Sequence, residues 1–188
     1  MSLPRVAFWF LRHGQTDENA RGVSQGGRDI PLNATGVAQA HHAAPQLERR
    51  GITGIVASPM QRARVTAEIV GEALRLPVCF DPDLREGGFG GMEGKPLASW
   101  FDDWLKGVAT PDGAESFSDL KTRAAQVMGR LLSPPGPILP GPILIVSHGA
   151  FFRALRGLMG LELDIRTPNA VPIQCEPVGQ RWRATVLE

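Results

Sequence analysis

Tyrosine is absent from this chain, and its 188 residues include only two cysteines, Cys79 and Cys175. The cysteines lie far apart and in no Cys-x-x-Cys pair, so they suggest neither a zinc site nor a disulfide framework and suit a reducing compartment. Charge of one sign is also missing. Twenty Lys+Arg stand against nineteen Asp+Glu, a formal net charge of +1, so global electrostatics give no reason to expect nucleic acid or an anionic membrane as a partner. Long apolar runs are lacking too: the first, residues 6–11, is cut by Arg12 and is too short for a signal core or a membrane span. Together these absences lead us to expect a cytoplasmic protein. A 43% hydrophobic and 21% charged composition is ordinary for a globular chain. The length suits one domain, residues 1–188, with an inserted cap at about 95–112.

What the chain does have is glycine and proline, 22 and 16 of them, and they punctuate it. Residues 6–11 predict a strand and residues 26–36 a loop. A helix then runs to about residue 50, capped by Asn33 or Thr35 and kinked or broken at Pro45. Residues 52–57 predict a second strand, with Ser58 as N-cap and Pro59 at the first position of a helix reaching about Leu74. A short strand at 77–80 precedes "LREGGFGGMEG", residues 84–94, which is too rich in glycine for regular structure. Helices are expected at 97–106 and 115–132, then a proline-rich connector at 133–142, a buried strand at 143–146 and a helix at 150–159. The end of the chain predicts two edge strands, 171–176 and 182–187, joined as a hairpin. Strands alternating with helices imply an α/β fold with a mainly parallel sheet covered on both faces.

Two stretches share one shape. "FWFLRHGQT" (8–16) and "ILIVSHG" (143–149) each carry a buried-looking strand into a His-Gly pair, and only four histidines exist in the chain. Side chains at the C-terminal ends of such strands face the crevice where α/β proteins gather ligands. Bringing the strand ends together unites Arg12 and His13 with His148, with Arg62 one turn into the second helix, and with Glu86 on the glycine loop. Two arginine forks match phosphoryl oxygens, and the charge beside an imidazole keeps it neutral and nucleophilic. One histidine could attack phosphorus and the other stabilise the equatorial oxygens, with Glu86 protonating the departing oxygen. A metal site is disfavoured because the arginines would repel a divalent cation. His41 and His42 are neighbours on a helix, point about 100° apart and read as solvent-exposed.

"LRHGQT" with Asn19, "DIPLNATGVAQA", "SPMQRARVTA", "LREGGFGGMEG", "PDGAES" and "VSHGAFFR" occur in order between Phe8 and Arg153. Together they resemble the motifs of the histidine phosphatase superfamily, in its phosphoglycerate-mutase-like branch. The resemblance implies a three-layer α/β/α sandwich, mainly parallel with an antiparallel edge strand, and a phosphohistidine intermediate with no cofactor and no metal. It makes His13 the nucleophile, Arg12, Arg62 and His148 the phosphate clamp, and Glu86 the proton donor and then base. Asn19 would serve the phosphate loop and Gly149 would contribute its backbone N–H. Ser24, Gln25 and Gly26 would line the substrate, a small phosphorylated metabolite.

Departures from the mutase pattern favour hydrolysis. Phe89 stands where a mutase tyrosine would be, Leu97 where a lysine would be, and Ala150 where an asparagine would be. "WLKGVATPDG" contains no Arg-Arg pair. Three readings stand: a phosphomonoesterase, a mutase with unusual pocket residues, and a silent protein that only binds phosphorylated ligands. Trp100, Phe101 and Trp104 fit either the core of the cap or an aromatic wall against the substrate.

Overall fold

The computed structural model describes residues 3–133 and 142–187. In chain order the elements are β1 (Phe8–Arg12), α1 (Asp17–Arg21), α2 (Ala34–Leu47), β2 (Gly54–Ala57), α3 (Gln61–Leu74), β3 (Val78–Phe80), α4 (Ser99–Leu105), α5 (Phe117–Leu132), β4 (Ile143–Ser147), α6 (Gly149–Leu158), β5 (Pro172–Val178) and β6 (Arg181–Val186). Single turns of 3-10 helix lie at Pro82–Leu84 and Gly90–Met92. The strands form one sheet in the order β3-β2-β4-β1-β5-β6. β3, β2, β4 and β1 are mutually parallel, β5 runs antiparallel to β1, and β6 antiparallel to β5. The expected hairpin is present, with β5 inside the sheet and β6 at its edge.

Every residue from Phe8 to Leu11 and from Ile143 to Val146 is buried, because helices cover both faces of the sheet. The alternation of side chains divides these runs between two cores. Phe8, Phe10, Ile143 and Ile145 join Leu120, Val127 and Met128 of α5 and Phe151, Phe152 and Leu155 of α6, and the Phe10 and Phe152 rings stack at 4.2 Å. Trp9, Leu11, Leu144 and Val146 face Ala43, Ala44 and Leu47 of α2 and Ala63, Ala67 and Val70 of α3. The alanines on this second side let two helices pack tightly on the sheet and on each other. Full burial of each large apolar side chain contributes about 1.5–3 kcal/mol, so both layers are strongly held.

Two local readings change, and one helix is added. α2 continues through Pro45 and stops two residues later at Leu47, so the proline falls in the last turn and breaks nothing. α3 begins only after Met60, with no side-chain cap of its own; the Ser58 hydroxyl expected to cap it accepts from the Met60 N–H at 3.3 Å and lies against a histidine, and Asp29 accepts from the Gln61 N–H at 2.7 Å. α1, a single short helix, is closed by a reciprocal capping box between Thr16 and Asn19. The proline-rich connector, between residues 134 and 141, lies outside the described residues. No helix among the described residues is long and apolar enough to cross a membrane.

Candidate active site

The register of β1 on β4 builds the centre of the site. Arg12 pairs with Ser147 and the His13 N–H donates to the Ser147 carbonyl at 2.9 Å, so the ladder extends one residue beyond β1. His13 and His148 therefore leave neighbouring strand ends together, with ring centroids 5.2 Å apart. Gly14 then turns the chain, donating its N–H to Thr66 Oγ1 at 3.0 Å. A Cβ on Gly14 would overlap the Gly36 carbonyl, and one on Gly36 would overlap the Gln15 backbone. Only glycines allow the first turn of α2 to come this close.

His13 is 1% exposed. Its Nδ1 lies 2.7 Å from the Gly14 carbonyl oxygen, which can only accept, so Nδ1 carries the ring proton and Nε2 keeps its lone pair. Burial, then the charges of Arg62 and Arg12, hold its pKa well below 6.5. His148, the N-cap of α6, is fully buried and also held well below 6.5, by burial and then by Arg62. Its Nε2 sits 2.8 Å from Ser58 Oγ, while its Nδ1 is buried with no partner among the described residues.

Two guanidinium groups flank these rings. Arg12 donates from Nη1 to the Thr167 carbonyl at 2.7 Å, and its buried Nε has no partner. Arg62, 0% exposed, donates from Nη1 to the Arg28 carbonyl at 2.7 Å and from Nη2 to the Gly26 carbonyl at 3.0 Å. Its Nε is likewise buried and unpaired. Burial lowers the pKa of both, and that of Arg12 reaches about 10. Unsatisfied buried donors on two cationic groups are costly unless an anion completes them.

Glu86 faces the start of α6. Its Oε1 accepts from the N–H of Phe151 at 3.0 Å and of Gly87 at 3.2 Å, and its Oε2 accepts from the Ala150 N–H at 3.2 Å. The free N–H groups at the start of the helix thus hold the Glu86 carboxyl group in place.

A cavity of about 360 Å³ brings Arg12, His13, Arg62 and Glu86 to one wall system, together with Asn19, Ser24, Gln25 and Gly149. Two expected residues are not on that wall. His148 lies behind it, beside His13, and Gly26 acts through its carbonyl on Arg62. Asn19 Oδ1 is taken by the Thr16 N–H and by Asn169 Nδ2. The Ser24 hydroxyl donates to the Met92 carbonyl, pinning its loop to the glycine segment, whereas Gln25 Oε1 is buried without a partner. Gly149 forms no bond to Glu86, and a Cβ there would meet the Arg12 guanidinium at 3.4 Å, an ordinary van der Waals contact.

The aromatic cluster divides between core and wall. Trp104 is wholly buried, donates Nε1 to the Glu115 carbonyl at 2.8 Å and packs edge-on against Phe89 and Phe117. Trp100 also meets Phe89 edge-on. Phe101, Phe89 and Leu97 line the cavity. Sequence reasoning missed Ser58, Thr66 and Asn169, which hold His148, Gly14 and the His13 carbonyl. It also missed Arg153 and Arg166 on the cavity wall. The spacing of Thr66 four residues after Arg62 on α3 was a usable signal; Arg166 and Asn169 lie in the irregular segment between α6 and β5, which carries none.

A sequence model of the histidine phosphatase superfamily (branch 1) matches residues 8–181, and the chain belongs to that family. Among its relatives is the "Uncharacterized phosphatase PhoE" of Bacillus subtilis, 34% identical over 182 residues that cover 95% of this chain and 92% of that one. The "Probable phosphoglycerate mutase GpmB" of Yersinia enterocolitica is 37% identical over 164 residues, covering 81% and 74%. A solved structure of a mycobacterial glucosyl-3-phosphoglycerate phosphatase superposes with a TM-score of 0.83 at 30% identity, over 97% of this chain and 98% of that one.

Proposed function

We propose that the protein is a cytoplasmic phosphatase that hydrolyses a small-molecule phosphate monoester through a phosphohistidine on His13. Its single catalytic unit spans residues 1–188, with residues 95–112 as the cap. The observation that carries this reading is the state of His13: neutral, its Nδ1 proton committed to Gly14, its Nε2 lone pair free, and unpaired Arg12 and Arg62 donors beside it. Nε2 attacks phosphorus in line with the ester oxygen; the N–P bond forms as the P–O bond breaks. Glu86 supplies the leaving oxygen with a proton from Oε2, the oxygen that accepts only one backbone bond. The carboxylate then takes a proton from water, whose oxygen attacks phosphorus, releasing inorganic phosphate and restoring neutral His13. No step calls for a cofactor.

Hydrolysis is favoured over transfer by further residues of the cavity wall. Phe89, Leu97 and Ala150, three of the departures from the mutase pattern, all line it, and Leu97 is 49% exposed, so water reaches the site. An acid-labile phosphoenzyme that forms on mixing with a phosphate ester, with phosphate released in step with ester consumed, is the expected result. Phosphoryl transfer to an added alcohol in place of release would overturn the hydrolase reading. Turnover with no phosphoenzyme would overturn the covalent path.

A further inference from the structure

The cavity holds more positive charge than a phosphate ester needs. Four guanidinium groups, Arg12, Arg62, Arg153 and Arg166, stand on its wall against one carboxylate, Glu86. Arg12 and Arg62 flank His13 and serve the reacting phosphoryl group. Arg153 and Arg166 have no such task, and neither forms an ion pair or hydrogen bond among the described residues. Arg153 projects from α6, is half-buried, and has a buried Nε with no partner. Its guanidinium lies 5.3 Å from the centre of the Phe101 ring, a contact that consumes none of its N–H donors. Arg166 is exposed at the mouth of the cavity. Burial first, and then mutual repulsion in which Arg166 takes part, lowers the pKa of both Arg12 and Arg153. Glu86 opposes this repulsion at both, and the positive charge left over is relieved by a bound anion.

We infer that the substrate is a phosphate monoester whose alcohol part carries a carboxylate, received by Arg153 and Arg166, with its carbon chain against Phe89, Leu97 and Phe101. This rests on the phosphatase reading and extends it to the leaving group. Charge and shape favour a carboxylate over a second phosphoryl group. Asp29, Glu18 and Glu93 act on Arg62, and Asp102 on Arg153, besides Glu86, so the site has room for less added negative charge than a second phosphoryl dianion brings. A planar carboxylate matches the guanidinium fork with a single charge.

The test compares ω-phosphooxy-alkanoates with their isosteric amides and with the matching alkanediol bisphosphates. These pairs keep the reacting alkyl phosphate constant. The wild-type protein is expected to favour acid over amide in kcat/KM by about tenfold or more, as for a charge-assisted contact in a partly dry site. Arg153→Gln should lower that ratio by about tenfold and the more exposed Arg166→Gln by about threefold. A wild-type ratio near one, equal losses on acid and amide, or preference for the bisphosphate would each overturn the inference. Arg166 lies on the surface, so its variant carries the test if Arg153→Gln does not fold. Calorimetric binding of the same acids and amides to His13→Ala separates the two readings. Acid-selective binding with no turnover by the wild type would overturn the phosphatase and leave the carboxylate site standing. Turnover with no acid preference would do the reverse.

Discussion

Two strand ends in this protein carry the same pattern, an apolar run closed by His-Gly, yet their rings present opposite nitrogens. At the end of β1, the Gly14 carbonyl takes the Nδ1 proton of His13 and leaves Nε2 open. At the end of β4, Ser58 engages Nε2 of His148 and leaves Nδ1 unpaired. His13 reaches the cavity wall and His148 stands behind it. The difference shows that one sequence shape supplies two chemically distinct groups, because the nearest oxygen, from the chain itself in one case and from α3's approach in the other, decides which nitrogen is spent.

The strongest way to break this comparison is to remove each ring in turn. His13→Ala should lower kcat by on the order of 10⁵ and abolish the phosphoenzyme, whereas His148→Ala should cost about 10²–10³ and leave the phosphoenzyme detectable by acid quench. Loss of the phosphoenzyme in His148→Ala alone would reverse the two roles. Glu86→Gln is expected to slow alkyl phosphates by about 10² while changing nitrophenyl phosphate only a few-fold, since a good leaving group needs no proton. Equal losses on the two esters would sink the donor role. Ser58→Ala, which releases Nε2 of His148 without removing the ring, should lower kcat by about tenfold or less; a loss as large as that of His148→Ala would mean that orientation of the ring is its whole contribution.

The smallest effect is on stability. Both histidines have folded-state pKa values well below the ordinary 6.5, so in that window the unfolded chain binds more protons than the native one. Unfolding free energy is therefore unaffected by these groups above about pH 6.5 and falls as pH drops below it. Urea titrations across this range should show that decline, with a shallower slope in His148→Gln. A slope unchanged by the substitution would remove His148 as its source.

Much of this was legible beforehand because it depends on short-range pattern. Apolar runs of four or five residues flanked by glycine mark buried strands, and Asn33 with Gly36 marks a helix start. Ser58 misled because a serine before a helix is a good cap in isolation, and only the tertiary structure brings His148 to compete for it. Gly26 was read as a substrate contact, but its carbonyl is consumed by Arg62 from a helix distant in sequence. Trp104 looked able to face a ligand and is core, because Phe89 and Phe117 surround it.

By itself the sequence determined the order of the six strands and of five of the six helices, the family, and Arg12, His13, Arg62, Glu86 and His148 as candidates. These follow from hydrophobic period and residue chemistry, which are local properties of the chain. Which nitrogen of His148 is free, what Ser58 does, and the placement of Arg153 and Arg166 on the cavity wall were decided only in the folded protein. Those depend on oxygens and charges contributed by segments more than a dozen residues away, and such distances are set by how the sheet and its two helical layers pack.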